Sequence, residues 1–211
     1  MDNCVNQIKI NYQLKLDEIV KGLDPACPPR LLLHCCCGPC SSYCLEYLSE
    51  YFSITVLFYN PNIFPKDEYY LRKSELMKLL CETEYRNPVS IVDCDYLPET
   101  YEARCSHLAD EPEGGKRCTE CFIQRLEFTA KAASMLHMDW YCSTLTVSPH
   151  KNSALINKLG YRIGDIHNIP WLPSDFKKRN GYLRSIQLSK EHSLYRQNYC
   201  GCRYSIWMDK E

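Results

Sequence analysis

Short apolar runs alternate with helix-length segments along most of this chain, and that alternation most limits what it can fold into. "LLLHC", "SITVLFY", "PVSIVDC" and "DWYCSTLTVSP" each suit a strand. "SSYCLEYLSEYF" reads as a helix with Ser41 or Ser42 near its cap. "DEYYLRKSELMKLLCETEY" is a second helix, with Tyr70, Leu76, Leu79 and Leu80 spaced for one face. "CTECFIQRLEFTAKAASMLHM" is a third and "PHKNSALINKLGYRIG" a fourth, starting after Pro149. The strands are too apolar to leave one face in water. The pattern therefore predicts parallel strands covered by helices on both sides. The fold class expected is three-layer α/β, Rossmann-like (HUP-like), with an open, mostly parallel sheet.

At 211 residues the chain can build one good core, and it has no internal repeat, low-complexity tract or flexible linker. A loose helical pattern over residues 5–22 is broken by "GLDPACPPR". Residues 1–29 are thus expected to be a helical extension outside the main fold, and residues 30–211 a single α/β domain that ends in a Cys-Gly-Cys segment.

Fifteen of the residues are cysteine, well above ordinary cytosolic usage but below the density of disulfide-stapled secreted domains. The N-terminus lacks a signal peptide's apolar core, and no apolar run reaches transmembrane length. A reducing cytoplasm is the expected location. Clustered cysteines there serve more often as metal ligands or redox groups than as staples.

Three clusters stand out: Cys36, Cys37 and Cys40 after the first strand, Cys118 and Cys121 opening a helix, and Cys200 and Cys202 near the C-terminus. In open α/β sheets, functional groups gather beyond the carboxyl ends of the strands. Helix N-termini also stabilise thiolates. Cys118 and Cys121 share a face of a first helical turn and can grip one metal or cluster. Cys37-Gly-Pro-Cys40 spells a thioredoxin-type dithiol, but that chemistry would leave five other clustered thiols unused. A disulfide between Cys200 and Cys202 would be strained and labile, a two-electron store; alternatively each sulfur ligates metal. Cys35 should point away from Cys36, because strand side chains alternate. Cys44, Cys81 and Cys142 lie in apolar contexts and are expected to be buried thiols.

Charge is unevenly spread. Residues 1–149 hold 14 Lys and Arg against 21 Asp and Glu, residues 150–211 hold 11 against 5. The C-terminal third can therefore offer a basic face to a phosphate backbone. Lys151, Lys177, Lys178, Arg179, Arg184 and Arg196 are its candidates, interleaved with Tyr182, Tyr195 and Tyr199.

Together, "HCCCGPC", "FYNPNIFPKDEYYLRK", "KRCTECFIQRL", "STLTVSPHKN" and "LSKEHSLYRQNYCGC" resemble the epoxyqueuosine reductase QueH family from about Leu31 to the end. The resemblance implies a tRNA-modifying oxidoreductase that converts epoxyqueuosine at the wobble position into queuosine, the last step of queuosine synthesis, without cobalamin. It implies a [4Fe-4S] cluster held by Cys36, Cys37, Cys118 and Cys121, with a second, mononuclear iron beside it. Cys200 and Cys202 would be a redox-active pair or ligate that second iron. Cys40 stands where some members carry Asp; either is an anionic ligand for the mononuclear iron. Implied partners are the anticodon loop of the substrate tRNA and an unidentified electron donor. Candidate proton donors by position are His34, Tyr199, His150 and Lys151. Two rival classes use the same residues: a metal-free dithiol oxidoreductase built on Cys37 and Cys40, and a zinc-stabilised RNA-binding protein with no redox activity.

Overall fold

A computed structural model describes residues 10–206. Cys4, the first residues of the expected N-terminal helix and the last five residues lie outside that range. Four strands, β1 (Arg30–His34), β2 (Ser53–Leu57), β3 (Val89–Val92) and β4 (Trp140–Ser143), form one sheet in the order β3-β2-β1-β4. All neighbours are parallel; Leu33 of β1 stands opposite Val56 on one side and Cys142 on the other. Parallel strands need long crossovers, and α2 (Gly38–Leu48), α3 (Lys66–Glu82) and α5 (Lys116–Met135) supply the helical parts of them. Two further helices, α6 (Ser153–His167) and α7 (Gly181–Glu191), follow β4 in the chain.

β1 shows why two helical layers form. Leu31, Leu33 and Cys35 point into one core with Cys44, Leu45 and Leu48 of α2 and Leu76 and Leu79 of α3. Leu32 and Cys36 point into the other, with Leu126 and Ala130 of α5 and Ile156 and Ile163 of α6. The alternation of a pleated strand thus separates Cys35 from Cys36 as expected, and the three-layer α/β architecture is that of the open, Rossmann-like sheet.

Several local features differ from expectation. The expected N-terminal extension holds α1 (Tyr12–Lys21), which is not outside the fold: it buries Leu16 and Val20 in the α2/α3 core. Helix α2 begins earlier than Ser41: Cys37 is its N-cap, with Sγ accepting from the Cys40 N–H at 3.4 Å and Pro39 in the first turn. Thiolate-capable sulfur replaces the usual oxygen cap. β4 ends at Ser143, whose Oγ accepts from the Leu145 N–H and turns Thr144–Val147 into a short 3-10 segment. The segment Pro98–Cys105 forms a helix, α4, that strand and helix periodicity did not single out. Cys44 and Cys142 are buried, but Cys81 is exposed because it lies on the outer side of α3, away from Leu76 and Leu79.

Parallel strands that run outward from β1 in both directions create a switch point beyond the carboxyl ends of β1 and β4. The first cysteine cluster follows β1, and Thr144 follows β4. The fold therefore delivers these thiols to the position where such sheets place their chemistry.

Candidate metal centre

Cys36, Cys37 and Cys40 form a compact group, with all three Sγ atoms within 4.8 Å of one another. Among the described residues this is the one set of three such ligand atoms that close. Cys36 Sγ lies 3.8 Å from Cys37 Sγ and 3.7 Å from Thr144 Oγ1. Gln197 Nε2 donates to Cys37 Sγ at 3.1 Å, a contact that ties the C-terminal segment to the first cluster.

The three thiols differ in acid strength. Hydrogen bonds from the Cys37 and Cys40 thiols pull Cys36 well below the ordinary cysteine value, and the Lys151 ammonium helps against the opposing effect of burial. Cys37 is pushed up to about 12, chiefly because it donates to Cys36. Cys40 is raised too, for the same reason. Cys36 is thus the first of the three to become a thiolate.

The second and third clusters meet elsewhere in the same region. Cys121 packs with Cys202, Tyr101 and Cys105 in a small buried cluster. Burial pushes the Cys121 thiol up to about 12, against the pull of Arg125. Cys118 Sγ accepts from the Gly114 N–H at 3.2 Å, and Cys118 and Cys36 each pack against the α5/α6 core. Cys105 of α4 was not singled out by spacing. Only the tertiary packing of α4 on α5 brings it to Cys121 and Cys202.

The Cys-Gly-Cys segment links these groups. Cys36, Cys40 and Cys200 all line one cavity of about 510 Å³, whose wall also includes Gly114 and Arg125. Cys202 faces inward to Cys121. Gly201 between them has φ +114°, and its carbonyl accepts from the Phe64 N–H at 2.8 Å. That φ favours glycine, and a Cβ there would also press on Arg72 Nη1 at 2.8 Å. Arg72 fixes the segment by donating to the carbonyls of Tyr199 and Cys200. Every cysteine among the described residues is a free thiol, Cys200 and Cys202 included.

The candidate proton donors separate clearly. His34 is fully buried: Nε2 donates to the Tyr59 carbonyl at 3.0 Å and Nδ1 accepts from Ser143 at 2.9 Å. Burial, assisted by Arg125, lowers it to about 4, so it is a neutral strut between β1, β2 and β4. Tyr199 lines the cavity but donates its hydroxyl to the Phe64 carbonyl, and burial raises it to about 12. His150 and Lys151 line the cavity directly. Burial alone would lower the Lys151 ammonium, but Cys200, Cys36 and Cys40 outweigh it and keep the amine charged.

The basic residues of the C-terminal third do not form one free face. Lys177 is paired with Asp175 at 2.6 Å, Arg179 with Asp17, and Arg184 with both Glu46 and Glu191. Lys178 is exposed. Arg196 and Lys151 reach the cavity, where Tyr182 and Tyr199 also sit. Tyr195 instead bonds to Glu75 and Glu68 of α3.

A donor set of sulfur atoms alone suits iron–sulfur clusters or zinc rather than hard, oxygen-seeking ions. The first cluster, half-open to a cavity and flanked by a charged amine, fits such a group.

Comparison with known proteins identifies the family. Residues 31–207 match the family model described as epoxyqueuosine reductase QueH. The chain is 44% identical over 203 residues to the epoxyqueuosine reductase QueH of Streptococcus pyogenes serotype M1, spanning 95% of this chain and 80% of that one. It is 42% identical to the protein of the same name from Staphylococcus aureus, over 93% and 84% of the two chains. The Thermotoga maritima protein of that name is 32% identical, over 86% and 92%.

Proposed function

The chain belongs to the epoxyqueuosine reductase family QueH, and from that premise we propose that it reduces epoxyqueuosine in tRNA to queuosine with an iron-dependent, cobalamin-independent site. One observation carries the reading: thiols from the first and last cysteine clusters, Cys36, Cys40 and Cys200, border a single cavity at the switch point of the sheet.

Removing an epoxide oxygen as water to leave an alkene consumes two electrons and two protons. A [4Fe-4S] group and a neighbouring iron, when bound, would supply single electrons and a Lewis acid for the epoxide oxygen. Cys36 and Cys37, with Cys118 and Cys121, are the proposed cluster ligands; Cys40 is the proposed ligand of the second iron. Cys200 and Cys202 either store two electrons as a dithiol or add ligands to that iron. The chain's own residues do the rest. Gln197 holds Cys37 in place, Arg72 holds the Cys200 segment, and Lys151 carries a proton at the cavity wall. Tyr182 offers a face on which an unstacked loop base can rest, and Arg196 a cation for its phosphate.

A dithiol enzyme of the thioredoxin type needs its first cysteine, Cys37 here, to be an accessible, acidic nucleophile. Cys37 is 1% exposed and raised to about 12. The acidic thiol is its neighbour Cys36, which lies outside the Cys37-Gly-Pro-Cys40 tetrapeptide. The burial and the direction of both shifts therefore favour the metal-centred reading.

The test is turnover. Anaerobically reconstituted protein, given epoxyqueuosine-containing tRNA and a chemical reductant, should yield a nucleoside lighter by one oxygen. An unchanged nucleoside beside fully metallated protein would refute the activity.

A further inference from the structure

Four cationic side chains line the cavity: Arg72, Arg125, Lys151 and Arg196. Two have ordinary partners. Arg72 is paired with Glu68 at 2.7 Å, and Arg196 bonds to the Ser185 carbonyl and to Ser189 Oγ. The other two do not. Among the described residues neither Arg125 nor Lys151 forms an ion pair with a carboxylate. The one carboxylate on the cavity wall, Glu113, is exposed and pairs with neither.

Arg125 is the more telling of the pair. It is 2% exposed and sits one helical turn after Cys121, with Nε donating to the Cys121 carbonyl at 3.1 Å. Its Nη2 is buried without a hydrogen-bond partner. The nearest aromatic ring, Phe122, stands 5.7 Å from the guanidinium carbon and gives only a weak cation–π contact. A buried, unpaired charge costs several kcal/mol in a folded protein. Natural structures accept that cost only where an anion compensates it.

The candidate anions are sulfur. Cys36, Cys40 and Cys200 line the same cavity as Arg125 and Lys151, and Cys121 sits one helical turn before Arg125. They compensate these cations only as thiolates. Metal binding deprotonates coordinating thiols outright, and the arrangement is then balanced. A fixed cation beside such a centre also favours its more reduced, more negative state, because reduction potential follows local charge and hydrogen bonding.

We propose that Arg125 and Lys151 are built-in counter-charges of a thiolate-held metal centre, positioning residues that raise its reduction potential and so let it accept electrons. This rests on the iron-centred reading above and adds to it a role for two residues outside the proposed ligand set.

The test is an EPR-monitored redox titration of anaerobically reconstituted protein, with iron and sulfide measured on each sample. Wild type, Arg125→Gln, Arg125→Lys and Lys151→Gln are compared. Both neutral variants should titrate at more negative potential than wild type, and Arg125→Lys should stay close to it. If Arg125→Gln fails to fold by circular dichroism, the partly buried Lys151 still decides through Lys151→Gln. A neutral variant that folds, binds iron and keeps the wild-type potential overturns the proposal. Wild-type protein that takes up no iron overturns the iron-centred reading itself, before any variant is compared.

Discussion

Cys36 and Cys37 are neighbours in sequence and opposite in behaviour. One faces the α5/α6 core and cavity as the acceptor of two thiol hydrogen bonds; the other caps α2 and donates. Spacing marks both as ligand candidates, but their inequality comes from strand alternation and from the cap, which only the folded chain displays. Cys118 is a quieter member, on the first turn of α5 with a backbone N–H aimed at its sulfur. Cys118→Ala should abolish both the brown chromophore of the reconstituted protein and its turnover; a variant with full activity would remove Cys118 from the ligand set. His34 shows the converse. A histidine beside a cysteine cluster invites a catalytic role, yet both ring nitrogens are spent on Tyr59 and Ser143 inside the sheet.

At the level of elements, the packing of α6 on the segment after β4 sets the back wall of the fold. Tyr141 of β4 bridges to Trp171, whose Nε1 donates to Asn157 Oδ1 on α6 at 3.0 Å. Gly160 lets the indole lie against the helix: a Cβ there would fall 2.3 Å from the Trp171 ring. Gly160→Ala is therefore expected to destabilise the protein by about 1–3 kcal/mol through overpacking. A lowered urea midpoint with an altered tryptophan emission would show it; an unchanged midpoint would mean that Trp171 repacks freely. The strands and long helices were legible from apolar runs and helical spacing, because buried parallel strands and amphipathic helices write strong patterns. Helix α4 and the cap of α2 were not. Pro98–Cys105 is short and held by packing on α5, and a cysteine cap carries no familiar signature. Cys105 carries no sequence signal either, since its proximity to Cys121 and Cys202 is wholly tertiary.

For the whole molecule, the split between an acidic N-terminal two-thirds and a basic remainder proved a poor map of the cationic surface. Lys177, Arg179 and Arg184 are matched by Asp175, Asp17, Glu46 and Glu191. The cavity draws Arg72 and Arg125 from the acidic part and Lys151 and Arg196 from the basic part. Net charge by segment cannot register pairs that form across the fold. Binding of tRNA should weaken with salt, each phosphate neutralised on a single-stranded loop adding about 0.7 to the slope of log K against log salt. Arg196→Ala should reduce that slope by about this amount, and Lys177→Ala, already paired, should leave it unchanged. Equal effects from the two would show that the cavity mouth does not receive the backbone.

Iron and acid-labile sulfide, quantified on protein purified without oxygen, bear most directly on whether separated cysteines jointly hold a redox metal. Both should be present in the wild type and depleted in Cys36→Ala. Zinc in their place, or epoxyqueuosine reduction that survives complete removal of metal by a chelator, would contradict it.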